Sequence, residues 1–142
     1  MRLLLLAPAA LLLAACGGGG DGSSDAAGSP GAAERNLVVD YDPGDGSPVQ
    51  RFTLLCGDAA QGDHPEPAAA CARVLRMNEP FAPLASDRIC TEVFGGPQTA
   101  RVTGTWQGEE VDVLLSREDG CAIDQWDALV PLVPEIAGQQ PA

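Results

Sequence analysis

The sequence predicts an α+β domain: an antiparallel sheet of about five strands with one or two helices, closed by two disulfides. Three observations predict it. Short β-branched and aromatic runs alternate with Gly/Pro turn clusters. One alanine-rich stretch has helical spacing, and it follows a proline-studded loop. Four cysteines are spread through the body of the chain behind a segment that reads as an export signal.

Residues 36–41 (NLVVDY) read as a strand, 43–48 (PGDGSP) as a turn, and 51–56 (RFTLLC) as a second strand, together a hairpin. Residues 57–67 read as loop. Residues 67–77 (PAAACARVLRM) form the clearest helix, with Pro65 or Pro67 in the first turn, where a missing N–H does no harm. Ala70, Val74 and Met77 share one helix face, with Cys71 and Leu75 beside them. Pro80 and Pro83 stop the helix. Residues 101–106 and 111–116 are strands around QGEE, another hairpin; Val102 and Trp106 share one face, and Val111 and Val113 another. Residues 120–129 fit either a short strand or a helical turn, and residues beyond 130 carry three prolines and read as an extended tail.

The chain has 142 residues and a net charge of −12, and all eight basic residues are arginine. That balance argues against nucleic acid, whose affinity comes from basic contacts to phosphate, and against an anionic lipid face. Solubility is the plain reading of the acidity. At the start, Arg2 precedes an apolar run from Leu3 to Leu13 that suits a signal peptide and is too short to span a bilayer. It ends in Leu13-Ala14-Ala15-Cys16, which resembles a bacterial lipoprotein lipobox. Cys16 is then the lipidated N-terminus, and two or three acyl chains tether a protein firmly. Residues 17–33 (GGGGDGSSDAAGSPGAA) lack large apolar side chains and form a flexible linker spanning roughly 25 Å. The expected organisation is a signal peptide over 1–15, lipidated cysteine and linker over 16–35, one domain over 36–130, and a tail over 131–142. The expected place is the outer face of a bacterial cell membrane, with a released form as the alternative.

The remaining cysteines are Cys56, Cys71, Cys90 and Cys121. In an oxidising compartment two disulfides are expected, and spacing alone does not choose among the three pairings. An enzyme has little to stand on. His64 is the one histidine, and a disulfide sulfur is no nucleophile to pair with it. Zinc sites want several free nitrogen and sulfur ligands, so no metal and no cofactor are expected. The carboxylates show neither an acid–base pair nor a calcium loop and read as solvated surface. Gly95-Gly96 is no phosphate loop, and Trp106 and Trp126 read as core anchors.

A short stretch remains, ICTEVFGGP over 89–97. With it stand Thr53-Leu54-Leu55-Cys56, the run from Gly62 through His64-Pro65-Glu66-Pro67 to Cys71, Cys90-Thr91-Glu92-Val93-Phe94, Gly104-Thr105-Trp106-Gln107-Gly108, and Cys121. On these residues the chain, from about Leu37 to Leu129, resembles the subtilisin inhibitor-like (SSI) family of secreted bacterial serine-protease inhibitors. The resemblance implies Cys56–Cys71 and Cys90–Cys121 pairing, a five-stranded sheet with two helices, and often a homodimer through the sheet. It implies a reactive loop of Ile89, Cys90, Thr91, Glu92, Val93 and Phe94, with the scissile bond at Glu92-Val93. Family members commonly carry Met, Lys or Arg where this chain has Glu92, and the Gly-Gly-Pro segment is about one residue longer than usual. The expected partner is therefore a serine protease, subtilisin-like or glutamate-specific. The alternative is a non-inhibitory cell-envelope binding module on the same scaffold.

Overall fold

The computed structural model describes residues 34–136. The signal peptide, Cys16, nearly all of the linker and the last six residues lie outside the described residues.

Five strands form one antiparallel sheet: β1 Arg35–Asp42, β2 Gln50–Cys56, β3 Ala60–Gln61, β4 Thr99–Trp106 and β5 Glu109–Leu115. Their spatial order is β3-β2-β1-β4-β5. Two helices, α1 Pro67–Leu75 and α2 Gly120–Leu129, complete the domain. Strand pairing explains the burial. In β1, Leu37 and Val39 point inward and are fully buried; Leu37 stands opposite Leu54 and Gly104, and Val39 opposite Phe52 and Val102. Val102 in turn faces Val113, and Gly104 faces Val111. Val111 and Val113 therefore share the face of Val102 and Trp106 instead of forming another, because the two-residue turn Gln107-Gly108 sets the register. Both turn residues have positive φ (53° and 83°), the type I′ geometry that matches the twist of a hairpin. Glu109 and Glu110 belong to β5, not to the turn.

Proline at the first turn starts α1 as expected, and Ala70, Cys71 and Val74 face the core. The helix stops at Leu75, two residues before the expected end, and Met77 packs against the core from the following turn. Residues 120–129 resolve as a helix. Asp119 caps it by accepting the Ala122 N–H at 2.8 Å, and Trp126 and Leu129 enter the core fully buried. Both tryptophans are core residues, at 5% and 0% exposure.

The expected boundary at residue 130 does not mark the end of the packed chain. Leu132 and Val133 are fully buried. Two side chains hold this segment down: His64 Nε2 reaches Leu132 O at 3.0 Å, and Trp126 Nε1 donates to Pro134 O at 2.9 Å. His64 Nδ1 accepts the Glu66 N–H at 3.0 Å, which fixes Nε2 as the protonated nitrogen. The histidine is thus a buried structural tie. The outer sheet face carries the ion pairs Arg51–Asp40 and Arg101–Asp112 beside the exposed Leu114. A hydrogen bond from Arg51 holds the Asp40 carboxyl below its ordinary value of 3.8.

Candidate functional site

Between α1 and β4 the chain runs through residues 76–98 without helix or strand. Within it, residues 85–89 and 91–94 are all exposed. Ile89 is 100% exposed, Val93 51% and Phe94 68%. Thr91 and Glu92 are exposed as well, and only Cys90 is half-buried. Three large apolar side chains held in water at one edge of a small acidic protein form a surface of the kind a partner covers.

The segment is exposed but tied on both flanks. Upstream, Cys90 is disulfide-bonded to Cys121 in the first turn of α2, with the Cα atoms 5.4 Å apart. The Gly120 N–H donates to Thr91 O at 2.9 Å, so the helix start carries the loop backbone directly. A Cβ on Gly120 would meet the Thr91 hydroxyl, so a larger residue there would require the Thr91 side chain to turn away. Downstream, the Gly95 N–H donates to Arg117 O at 2.7 Å, and Arg117 Nε donates to Gly95 O at 3.2 Å. Arg117 lies between β5 and α2 and is 1% exposed. Its Nη1 meets Asp127 Oδ1 at 3.0 Å, and its guanidinium carbon sits 5.7 Å from the Trp126 ring centroid. Residues 91–94 thus bridge two fixed points on one rigid body, the β5–α2 corner.

The other disulfide, Cys56–Cys71, joins the end of β2 to α1 inside the core, far along the chain from the loop. Cys90, Asp119 and Cys121 cluster within 4.8 Å, yet both sulfurs are in the disulfide, which leaves one carboxylate and no metal-binding set. Sequence reasoning identified the loop and its cysteines but not Arg117 or Gly120. A lone arginine after an alternating strand reads as surface, since arginine is rarely buried unless paired. Its partner Asp127 is ten residues away on a helix that the sequence left ambiguous.

Residues 36–115 match the subtilisin inhibitor-like family. The chain belongs to that family. Among its relatives, the subtilisin inhibitor of Streptomyces violaceus is 38% identical over 74 residues, which cover 50% of each chain. Subtilisin inhibitor-like protein 5 of Streptomyces fradiae is 33% identical over 79 residues, 54% of this chain and 73% of that protein. The match thus spans about half the length of the first relative and nearly three-quarters of the second. Among solved structures, Streptomyces caespitosus sermetstatin, in a crystal with Bacillus licheniformis subtilisin, aligns with a TM-score of 0.42 and 24% identity over 68% of this chain and 96% of that one. The names these subtilisin inhibitor-like relatives carry are those of inhibitors, not of enzymes.

Proposed function

We propose that this chain is a membrane-tethered inhibitor of serine endopeptidases that presents residues 89–94 as a substrate-like loop, with Glu92-Val93 as the scissile bond. The observation that carries the reading is the pairing of exposure with double restraint: residues 91–94 are open to solvent, and both flanks are bonded to the β5–α2 corner. A protease needs an extended segment in its cleft. Ordering a free peptide there costs about 1–2 kcal/mol per residue in backbone entropy, and a loop already held in place avoids much of that cost.

Attack by the protease's serine on the Glu92 carbonyl breaks the Glu92–Val93 bond, and the new amine of Val93 takes up a proton. The two halves stay attached to one scaffold. The amine remains beside the ester at high effective concentration and can attack it, reforming the peptide bond and freeing the serine before water intervenes. Ile89, Val93 and Phe94 supply apolar contact on either side.

Glu92 selects the target. An ionised carboxylate in an apolar pocket loses its hydration unpaired, at a cost of several kcal/mol, whereas a basic pocket supplies the partner. The favoured target is therefore a glutamate-specific serine endopeptidase, with a subtilisin as the second. The full mature chain, carrying Cys16→Ser to prevent lipidation, is titrated against both. Stoichiometric inhibition of the glutamate-specific enzyme, weakened at least a hundredfold by Glu92→Lys, is the expected result. Inhibition of neither enzyme overturns the reading in favour of an envelope binding module. Tethering rests on the Leu13-to-Cys16 segment, and loss of membrane-fraction retention in Cys16→Ser cells tests it. Sedimentation of the same preparation tests whether the chain forms a homodimer.

A further inference from the structure

We propose that Arg117 is the positioning residue for the leaving side of the loop and decides whether the chain acts as an inhibitor or as a slow substrate. The inference rests on the inhibitor reading and concerns the half of the loop that no covalent bond holds. Upstream of Glu92-Val93 the disulfide at Cys90 keeps the acyl half in place. Downstream, residues 93–94 lead to Gly95, whose N–H and carbonyl both bond to Arg117. After attack, the fate of the Val93 amine depends on that second tie. If residues 93–95 swing away, the ester is left to water, and the Glu92–Val93 bond is lost.

The side chain is built for the task. A guanidinium presents several donors in a fixed plane, so it can bond Gly95 O and Asp127 at once while its charge lies over the Trp126 ring. Asp127 and Trp126 both belong to α2, the helix that also carries Cys121. One helix therefore references both flanks, and the gap between the two halves of a cut loop is set by a rigid element. A lysine at this position keeps the charge toward Asp127 but lacks the planar fork. A methionine keeps the volume and loses both bonds.

The test uses the mature chain with Arg117→Met, Arg117→Lys and Asp127→Asn, and two readouts. The first is hydrogen exchange at the Gly95 amide in the free protein. That N–H bonds to the Arg117 backbone carbonyl, which no variant removes, so its protection reports how well the side chain fixes the segment. The expected result is exchange at least tenfold faster in Arg117→Met, smaller rises in Arg117→Lys and Asp127→Asn, and unchanged amides in the centre of β4. The second is the rate at which the bound protease accumulates chain cut at Glu92-Val93, expected to rise on the order of a hundredfold in Arg117→Met, alongside weaker inhibition because the less ordered segment must be fixed on binding. Gly95 exchange within twofold of wild type in Arg117→Met overturns the proposal; should that variant not fold, unchanged exchange in Asp127→Asn does so. Wild-type chain that inhibits neither protease overturns the inhibitor reading, and the exchange readout still decides the role of Arg117.

Discussion

The two disulfides have the same chemistry and different surroundings. Cys56 and Cys71 are 1% and 5% exposed and tie β2 to α1 within the core cluster. Cys90 and Cys121 tie an exposed loop to the start of α2, and Cys90 is half-buried at the surface. The first bond closes 15 residues and the second 31. In the chain-entropy model these loops stabilise the fold by about 3 kcal/mol and just under 4 kcal/mol, nearly the same amount. What separates them is what each holds still. One fixes the scaffold, and the other fixes the exposed segment proposed to enter a protease cleft. A covalent bond worth the same to stability can thus be neutral or decisive for function according to its place.

Deleting each disulfide in turn separates stability from loop restraint. Cys56→Ala with Cys71→Ala should lower stability by about 2–5 kcal/mol, leaving the inhibition constant and the loop-cleavage rate of the folded fraction unchanged. Cys90→Ala with Cys121→Ala should lower stability by a similar amount and also raise cleavage at Glu92-Val93 by on the order of a hundredfold, because the acyl half is no longer held. Denaturant unfolding gives the first quantity and mass spectrometry of the complex the second. Equal cleavage rates in the two double variants would show that the surface bond is only a staple.

A second effect sharpens the scaffold side. Leu132 is fully buried near His64, and Leu132→Ala should cost about 2–5 kcal/mol as a large-to-small core change. Like removal of Cys56–Cys71, it should leave loop cleavage untouched. Removal of residues 131–142 should cost at least as much, since Val133 and the His64 and Trp126 ties go with it. A truncated chain that unfolds at the wild-type midpoint would restore residue 130 as the domain edge.

Much of the scaffold was legible because local pattern and tertiary burial agree there. The alternation in residues 51–56 becomes the inward Leu54 and Cys56, and the alanine-rich run after Pro67 becomes α1. Legibility failed where a distant partner decides the outcome. β3 is two residues long and exists only because Cys56 and Leu55 offer an edge to Ala60 and Gln61. The prolines after 130 suggest a tail, yet two hydrogen bonds from residues far away in sequence or on α2 draw Leu132 and Val133 inward. Residues 120–129 lack a strong apolar stripe, and the Asp119 cap together with Trp126 burial makes them a helix. Of the candidate site, the loop was visible through Cys90 and through the resemblance of the surrounding motifs to the subtilisin inhibitor-like family. Its second support was not, because Arg117 looks like surface until Trp126, Asp127 and Gly95 surround it.

The smallest effect concerns the strap beside the buried disulfide. Asp63 accepts the Thr53 N–H and the Thr53 hydroxyl, and these bonds hold the residue 57–66 loop against β2. The Thr53 N–H, and then its hydroxyl, hold the Asp63 carboxyl below its ordinary value of 3.8. A carboxyl lowered in the folded state is protonated more readily in the unfolded chain. Its stabilisation is therefore fully present above the unfolded value and is lost as pH falls through the folded one. The group is fully exposed, so the effect is small. Asp63→Asn should flatten the decline in the unfolding midpoint below about pH 4 while leaving the midpoint at pH 7 slightly lower. Loop cleavage at pH 7 should not change in Asp63→Asn, since the strap supports β2 and not the β5–α2 corner. A cleavage rate that follows Asp63 would show that the two ends of the molecule are mechanically coupled, and that the buried disulfide also contributes to holding the loop.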